Sequence, residues 1–227
     1  MDKIILLFIV LLLTISTTSV CAIGAQESAP RSTTSSPAQP GYFDNELLRA
    51  QNELKTAEES SSQDLASSQD KLARLYKLRG KYDLAEPLFK QSLINYEKTL
   101  GPDHPNVAIT LSGLAEMYSA QGLYSQAVPL YKRSLAIDEK AYGPDQPEVA
   151  HDINNLALMY QHQGNYAESE SLYKRSLSIM EKIFGPDHPS LVSILSNLGT
   201  IYRKTGRDAD AIRVEKRSAS ISSNMQK

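Results

Sequence analysis

The sequence predicts an all-α chain in which antiparallel helix pairs stack side by side into an α-solenoid. Three observations carry that expectation. A 42-residue unit recurs, opened by Gly101-Pro102-Asp103-His104-Pro105, then Gly143-Pro144-Asp145-Gln146-Pro147, then Gly185-Pro186-Asp187-His188-Pro189. Each unit holds two stretches whose apolar residues fall at helical spacing. One glycine stands between the two stretches in every unit: Gly80, Gly122, Gly164 and Gly206. A fixed period of this length is the mark of a repeat array. A lone helix pair is unable to bury its own apolar face, so its stacked neighbours must supply the core.

The units explain most of the chain. Positions 101–142 and 143–184 agree at 22 of 42 places, including Leu-Tyr-Lys-Arg-Ser-Leu at 130–135 and 172–177. Continuing the period backward and forward places four repeats at 59–100, 101–142, 143–184 and 185–226. In the first helix of each, the stripe reads Gln69, Leu72, Ala73, Tyr76; Leu111, Leu114, Ala115, Tyr118; Ile153, Leu156, Ala157, Tyr160; and Leu195, Leu198, Gly199, Tyr202. The glycine four residues after each tyrosine lets the chain reverse through a positive φ. The second helix follows with Ala85, Leu88, Phe89, Ser92, Leu93 and its equivalents Ala127, Leu130, Tyr131, Ser134, Leu135. It stops at the next Gly-Pro, because proline does not continue a helix. The small residues Ala73, Ala115, Ala157 and Gly199, and Ala85, Ala127, Ser169 and Ala211, are expected where two helices approach closely.

The ends depart from the repeat. Residues 44–58 predict a helix that caps the first repeat, with Leu47 and Ala50 in register with Phe89 and Ser92. In the last repeat Asp208 and Glu215 replace Tyr124 and Tyr131, as a terminal helix with a solvated outer face requires. The first ten residues after Met1-Asp2-Lys3, Ile4 to Leu13, are purely apolar. With Val20 and Ala22 as small and medium residues before the break, residues 1–22 are expected to be a secretory signal peptide, cleaved after Ala22 or else after Ala25. An uncleaved inner-membrane signal anchor is the alternative. Residues 23–43, rich in Ser, Thr, Pro and Ala, are expected to form a disordered linker. The expected location is therefore secreted, periplasmic or cell-envelope.

Composition narrows the function classes. The 227 residues carry 24 Lys+Arg against 26 Asp+Glu, a formal charge of −2. That balance argues against nucleic-acid binding, which needs a basic surface. The single cysteine, Cys21, lies in the N-terminal apolar stretch, so no thiol chemistry belongs to the repeats. No Gly-x-Ser-x-Gly, phosphate-binding Gly-rich loop or His-Glu-x-x-His is present. His151 and His162 sit 11 residues apart on one predicted helix, about 16 Å along its axis, too far to share a metal. His104 and His188 fall at equivalent linker positions and read as turn or cap residues. No enzyme activity, cofactor or metal is expected.

Leu-Ala-x-x-Tyr, then Gly-x-Tyr-x-x-Ala, then Tyr-x-x-Ser-Leu resembles the tetratricopeptide repeat (TPR). The 42-residue period and the Gly-Pro-Asp-His-Pro linker resemble the kinesin-light-chain variant of that repeat, over 168 of the 227 residues. The resemblance implies a short right-handed superhelical arc. It also implies a concave groove, lined by the first helix of each pair, that holds a peptide or protein partner. Groove positions lie just off the buried stripe. They are Lys71, Arg74 and Lys77; Ser112, Gly113, Glu116 and Ser119; His151, Asn154, Asn155, Leu158 and His162; and Asn197, Thr200, Arg203 and Lys204. Asn155 and Asn197 are the sharpest candidates, because an amide donates and accepts at once and so suits a peptide unit of any sequence. Lys71, Arg74, Arg203 and Lys204 would favour an acidic ligand or merely solvate the face. Lys132-Arg133, Lys174-Arg175 and Lys216-Arg217 are expected to form a basic, solubilising ridge on the convex side. The expected function is an exported, non-enzymatic protein-binding module. The alternative is a membrane-anchored or self-associating scaffold of an envelope complex.

Overall fold

The computed structural model describes residues 42–58 and 61–224. The signal peptide and all but the last two residues of the expected linker lie outside the described residues. Among the described residues there are nine helices and no strand. They are α1 (Tyr42–Ala57), α2 (Ser62–Leu78), α3 (Tyr82–Leu100), α4 (Pro105–Ala120), α5 (Tyr124–Tyr142), α6 (Pro147–His162), α7 (Tyr166–Phe184), α8 (Leu191–Lys204) and α9 (Asp208–Asn224). Helix α1 begins two residues before the expected position 44. Packing is closest within the pairs α2/α3, α4/α5, α6/α7 and α8/α9, and next closest between each helix and its chain neighbour in the adjoining pair. This is the all-α solenoid. Helix α1 packs on α2, joined by Gln51 Nε2 to the Tyr76 hydroxyl at 2.9 Å.

The reversal inside each pair follows one rule. Gly80, Gly122, Gly164 and Gly206 take φ of +68°, +74°, +78° and +72°. The N–H one residue later returns to the carbonyl of the stripe tyrosine: Lys81 to Tyr76, Leu123 to Tyr118 and Asn165 to Tyr160 at 2.9 Å, and Arg207 to Tyr202 at 2.8 Å. This is the six-to-one bond of a Schellman cap, which fixes the glycine four residues after the tyrosine. Between pairs, Pro105 and Pro147 open their helices, where a missing N–H costs nothing. His104 Nδ1 caps α4 by accepting the Asn106 N–H at 3.1 Å, and His188 Nδ1 accepts the Ser190 N–H at 3.3 Å.

The core runs through the array. The small residues Ala73, Ala85, Ala115, Ala127, Ala157, Ser169 and Ala211 are fully buried, as are Phe89 and Tyr173, and Tyr131 is almost so. Inside each pair a serine of the second helix donates to a carbonyl of the first: Ser92 to Ala66 at 2.7 Å, Ser134 to Ala108 at 3.0 Å, Ser176 to Ala150 at 2.8 Å and Ser218 to Val192 at 3.4 Å. Burying a hydroxyl without such a partner would cost its desolvation.

The arginines of the expected basic ridge are paired across the repeats. Arg133, Arg175 and Arg217 pair with Glu97, Glu139 and Glu181 of the preceding second helix at 2.6, 2.6 and 2.5 Å. Lys140 and Lys182 pair with Asp103 and Asp145 of the preceding linkers. Lys132 lies over the Tyr160 ring, 5.5 Å from its centroid. These cations tie each repeat to its neighbours, because a helical rise of one repeat brings the end of one second helix beside the middle of the next. No helix among the described residues is long and apolar enough to cross a membrane.

Candidate protein-binding groove

The first helices, α2, α4, α6 and α8, line one side of the array. Helix α2 approaches α4 and α6 approaches α8 across the intervening second helices. A side on which alternate helices draw together is the concave side. Residues 42 apart share a position on it, so the groove is a set of columns.

The column holding Lys71, Gly113, Asn155 and Asn197 is the most varied. Lys71 Nζ is bonded to Glu53 of α1 at 2.6 Å, and this bond holds the Glu53 carboxyl below its ordinary range. Gly113 is not an open groove position. An added Cβ would meet Arg74 Nη2 and Phe89 Cε1, each at 2.9 Å, so the glycine lies beneath the Arg74 guanidinium. Asn155 is half-buried, and among the described residues its amide makes a single long hydrogen bond, to the His151 ring at 3.4 Å. Asn197 is half-buried, and no hydrogen bond of its amide occurs among the described residues.

The next column holds Arg74, Glu116, Leu158 and Thr200. Arg74 is bonded to Asp70 at 2.6 Å and to the Ile109 carbonyl at 2.7 Å, with its guanidinium 5.8 Å from the Phe89 centroid. Glu116 is engaged by Lys77. Leu158 packs against two of the apolar clusters and seals the seam between them instead of standing open. Thr200 is exposed and returns its hydroxyl to the Ser196 carbonyl of its own helix at 3.1 Å.

Toward the helix ends, Arg203 forms a two-pronged bond to Glu215 at 2.9 and 3.2 Å and reaches Asp208 at 3.2 Å. The pair holds the Glu215 carboxyl low. Lys204 is exposed. His162 stacks on Tyr124 with ring centroids 4.5 Å apart and planes 3° from parallel. His151 is open to solvent and 3.9 Å from Asp152 Oδ1.

Several expected groove residues therefore serve the interior. Ser112 bonds Ser134 Oγ at 2.8 Å and Asp152 Oδ1 at 3.2 Å. Asn154 turns its amide oxygen into the next seam, where it is buried without a hydrogen-bond partner among the described residues. The reason is register: Ser112 meets Asp152, while the corresponding neighbour of Asn154 is Ile194, which has nothing to donate. Of the basic set, Lys71, Arg74 and Arg203 are paired with internal carboxylates; Lys204 alone of the four forms no ion pair among the described residues. Among the described residues, no group of three His, Cys, Asp or Glu is placed to hold a metal.

Two residues that pattern reasoning missed are Asp138 of α5 and Asp152 of α6, both buried. Their repeat equivalents are Tyr96 and Met180, and Thr110 and Ile194. A carboxylate standing in an otherwise apolar column was the available signal.

The tetratricopeptide repeat family model matches residues 64–140, 110–157 and 148–224. Comparison with curated protein sequences returns no match. Among solved structures, BtubC (BKLC) from P. vanneervenii is 22% identical with a TM-score of 0.70, covering 81% of this chain and 74% of that one. The nearly identical TPR-like repeats of a kinesin light chain candidate from Podosopora anserina are 25% identical with a TM-score of 0.70, covering 82% and 90%. A Rap protein complexed with Competence and Sporulation Factor is 18% identical with a TM-score of 0.62, covering 80% of this chain and 50% of that one. At these identities the likeness is one of fold.

Proposed function

The chain belongs to the tetratricopeptide-repeat family, and on that premise we propose that it is an exported, non-enzymatic adapter holding a segment of a partner protein along the groove of α2, α4, α6 and α8. The repeat fold is a protein–protein interaction module. The observation that supports the groove here is the state of its polar groups. Lys71, Arg74, Glu116 and Arg203 are consumed by internal partners, while the amides of Asn155 and Asn197 lie in register one repeat apart and remain open. Two amides so placed bind an extended backbone without reading its side chains. The Rap protein of the same fold was solved in complex with Competence and Sporulation Factor, which supports a bound partner for such an array. Export rests on the apolar run Ile4 to Leu13 and the small residues after it.

The test is capture from an envelope extract by the wild type and by Asn155→Ala with Asn197→Ala, after circular dichroism shows equal helicity. Each lost bond to an uncharged backbone group is worth about 0.5–1.5 kcal/mol. The double variant should therefore weaken binding by roughly fivefold to 150-fold. A partner retained at full strength would refute the amide groove. Immunolocalisation of the tagged full chain checks export, and a cytoplasmic signal alone would overturn it.

A further inference from the structure

The seam between α5 and α6 differs from the other two of its kind. At the first seam the paired positions are Tyr96 and Thr110, at the third Met180 and Ile194, and at the second Asp138 and Asp152. Asp138 is 8% exposed and Asp152 is 3% exposed, and Asp138 Oδ1 and Asp152 Oδ2 are buried with no hydrogen-bond partner among the described residues. Two like charges so placed repel across a poorly solvated space, and an unpaired buried oxygen adds its own desolvation cost. We propose that this seam is a proton-operated joint: Asp138 holds a proton when α6 is seated on α5, and its ionisation loosens α6 and with it the groove residues His151 and Asn155.

Among the described residues, the surroundings supply one group able to carry a positive charge near the pair. Helix α6 contributes Glu148 and His151, both of which act on Asp138. Helix α4 contributes Glu116, whose charge is already matched by Lys77 of α2. Helix α5 adds the Tyr131 phenol, which burial keeps in its neutral form. Helix α7, on the other flank of α6, has Glu170 paired to Lys174 and Arg175 directed to Glu139. The first seam shows the contrast. There Arg74 occupies the place of Glu116 and bridges Asp70 to the next first helix. At the second seam only His151, exposed and titratable, stands near the carboxylates.

Burial, then the charges of Asp152 and Glu148, push the Asp138 carboxyl up to about 6. The neighbouring Asp152 carboxylate, 3.9 Å away, raises His151. A group whose folded value is raised gives stability that is complete below its unfolded value and lost as the pH climbs through the folded one. Both groups therefore act in one direction: the seam is firm in mild acid and loosens through and above pH of about 6. Glu53, Glu86, Glu170 and Glu215, all held low by cations, act oppositely and lose their contribution as pH falls below the ordinary carboxylate range. Stability should therefore peak near pH 5.

The experiment is urea unfolding of the full chain between pH 5 and pH 8, for wild type and Asp138→Asn. The expected result is a wild-type midpoint that falls as pH rises. In Asp138→Asn that fall should be lost apart from the smaller part due to His151, with the midpoint at pH 8 above the wild-type value. His151→Gln separates the second group and should leave most of the fall in place. Asp138→Met, which copies the third seam, serves if the amide variant does not fold. Carbon-detected titration of the Asp138 carboxyl in the wild type reads the proton directly, and hydrogen exchange of α6 amides should quicken above pH 6 more than that of α8. A flat wild-type profile, a fall that survives in Asp138→Asn, or an Asp138 carboxyl titrating at its ordinary value would each overturn the proposal. None of these readouts needs a ligand, so they stand or fall apart from the groove reading.

Discussion

Gly113 and Gly199 show how one residue type serves two purposes in the same face of the array. Both lie in helices, where alanine is favoured over glycine by about 1 kcal/mol. At Gly199 an added Cβ would lie 3.2 Å from Glu215 Cγ, a flexible and partly exposed side chain that yields. At Gly113 it would lie 2.9 Å from Phe89 Cε1, and Phe89 is fully buried and fixed. Overpacking of that kind costs about 1–3 kcal/mol and outweighs the propensity gain. Thermal unfolding should show Gly199→Ala more stable than wild type by up to about 1 kcal/mol. Gly113→Ala should be less stable by up to about 2 kcal/mol. A stabilised Gly113→Ala would mean that Arg74 and Phe89 move aside. The sequence placed Gly113 off the apolar stripe and hence in the groove. The structure places it under a guanidinium that arrives from another helix, which periodicity within one helix does not reveal.

At the scale of the element, second helices are joined to their pair partners by buried serines and to their neighbours by exposed ion pairs. These ties differ in worth. Ser134 bonds a carbonyl in the interior, so Ser134→Ala would lose about 1 kcal/mol. Arg175 and Glu139 are 41% and 33% exposed, so solvent screens their attraction. A double-mutant cycle on Glu139→Ala and Arg175→Ala should return about 0.2–1 kcal/mol of coupling. That coupling should fade in about 1 M salt, where the screening length drops to about 3 Å. Coupling that persists in high salt would show the pair to be effectively desolvated. The helix boundaries were legible because each rests on a local rule: tyrosine to glycine for the Schellman turn, Gly-Pro for the stop, proline at the first helical position for the restart. The pairing of Arg133, Arg175 and Arg217 was not. Its partners lie on the preceding second helix, and only the stacking angle of the repeats decides that they meet.

The whole molecule is a line of nearest-neighbour contacts, so its stability is expected to be graded along the chain. Helix α4 buries nine residues between its neighbours, whereas α9 buries only Ala211, Ser218 and Ile221, and α1, among its side chains described (44–57), only Ala50 and Ala57. Native-state hydrogen exchange should find α1 and α9 opening first and α4 protected longest. Uniform protection would instead mean that the array unfolds as one unit. The sequence by itself determined the period, the helix pairs, the turn chemistry and the residues of the core, because each of these follows from spacing of a few residues along one chain segment. The tertiary structure alone decided which groove side chains stay open. Arg74, Glu116 and Arg203 are held by groups that include partners on other helices, Leu158 and Asn154 turn into the seams, Asn155 keeps only a long bond to His151, and Asn197 forms no hydrogen bond of its amide among the described residues. It alone also brought Asp138 within electrostatic reach of Asp152. Long-range juxtaposition depends on how whole helices rotate and stack to fill space, and no local pattern in the chain carries that information.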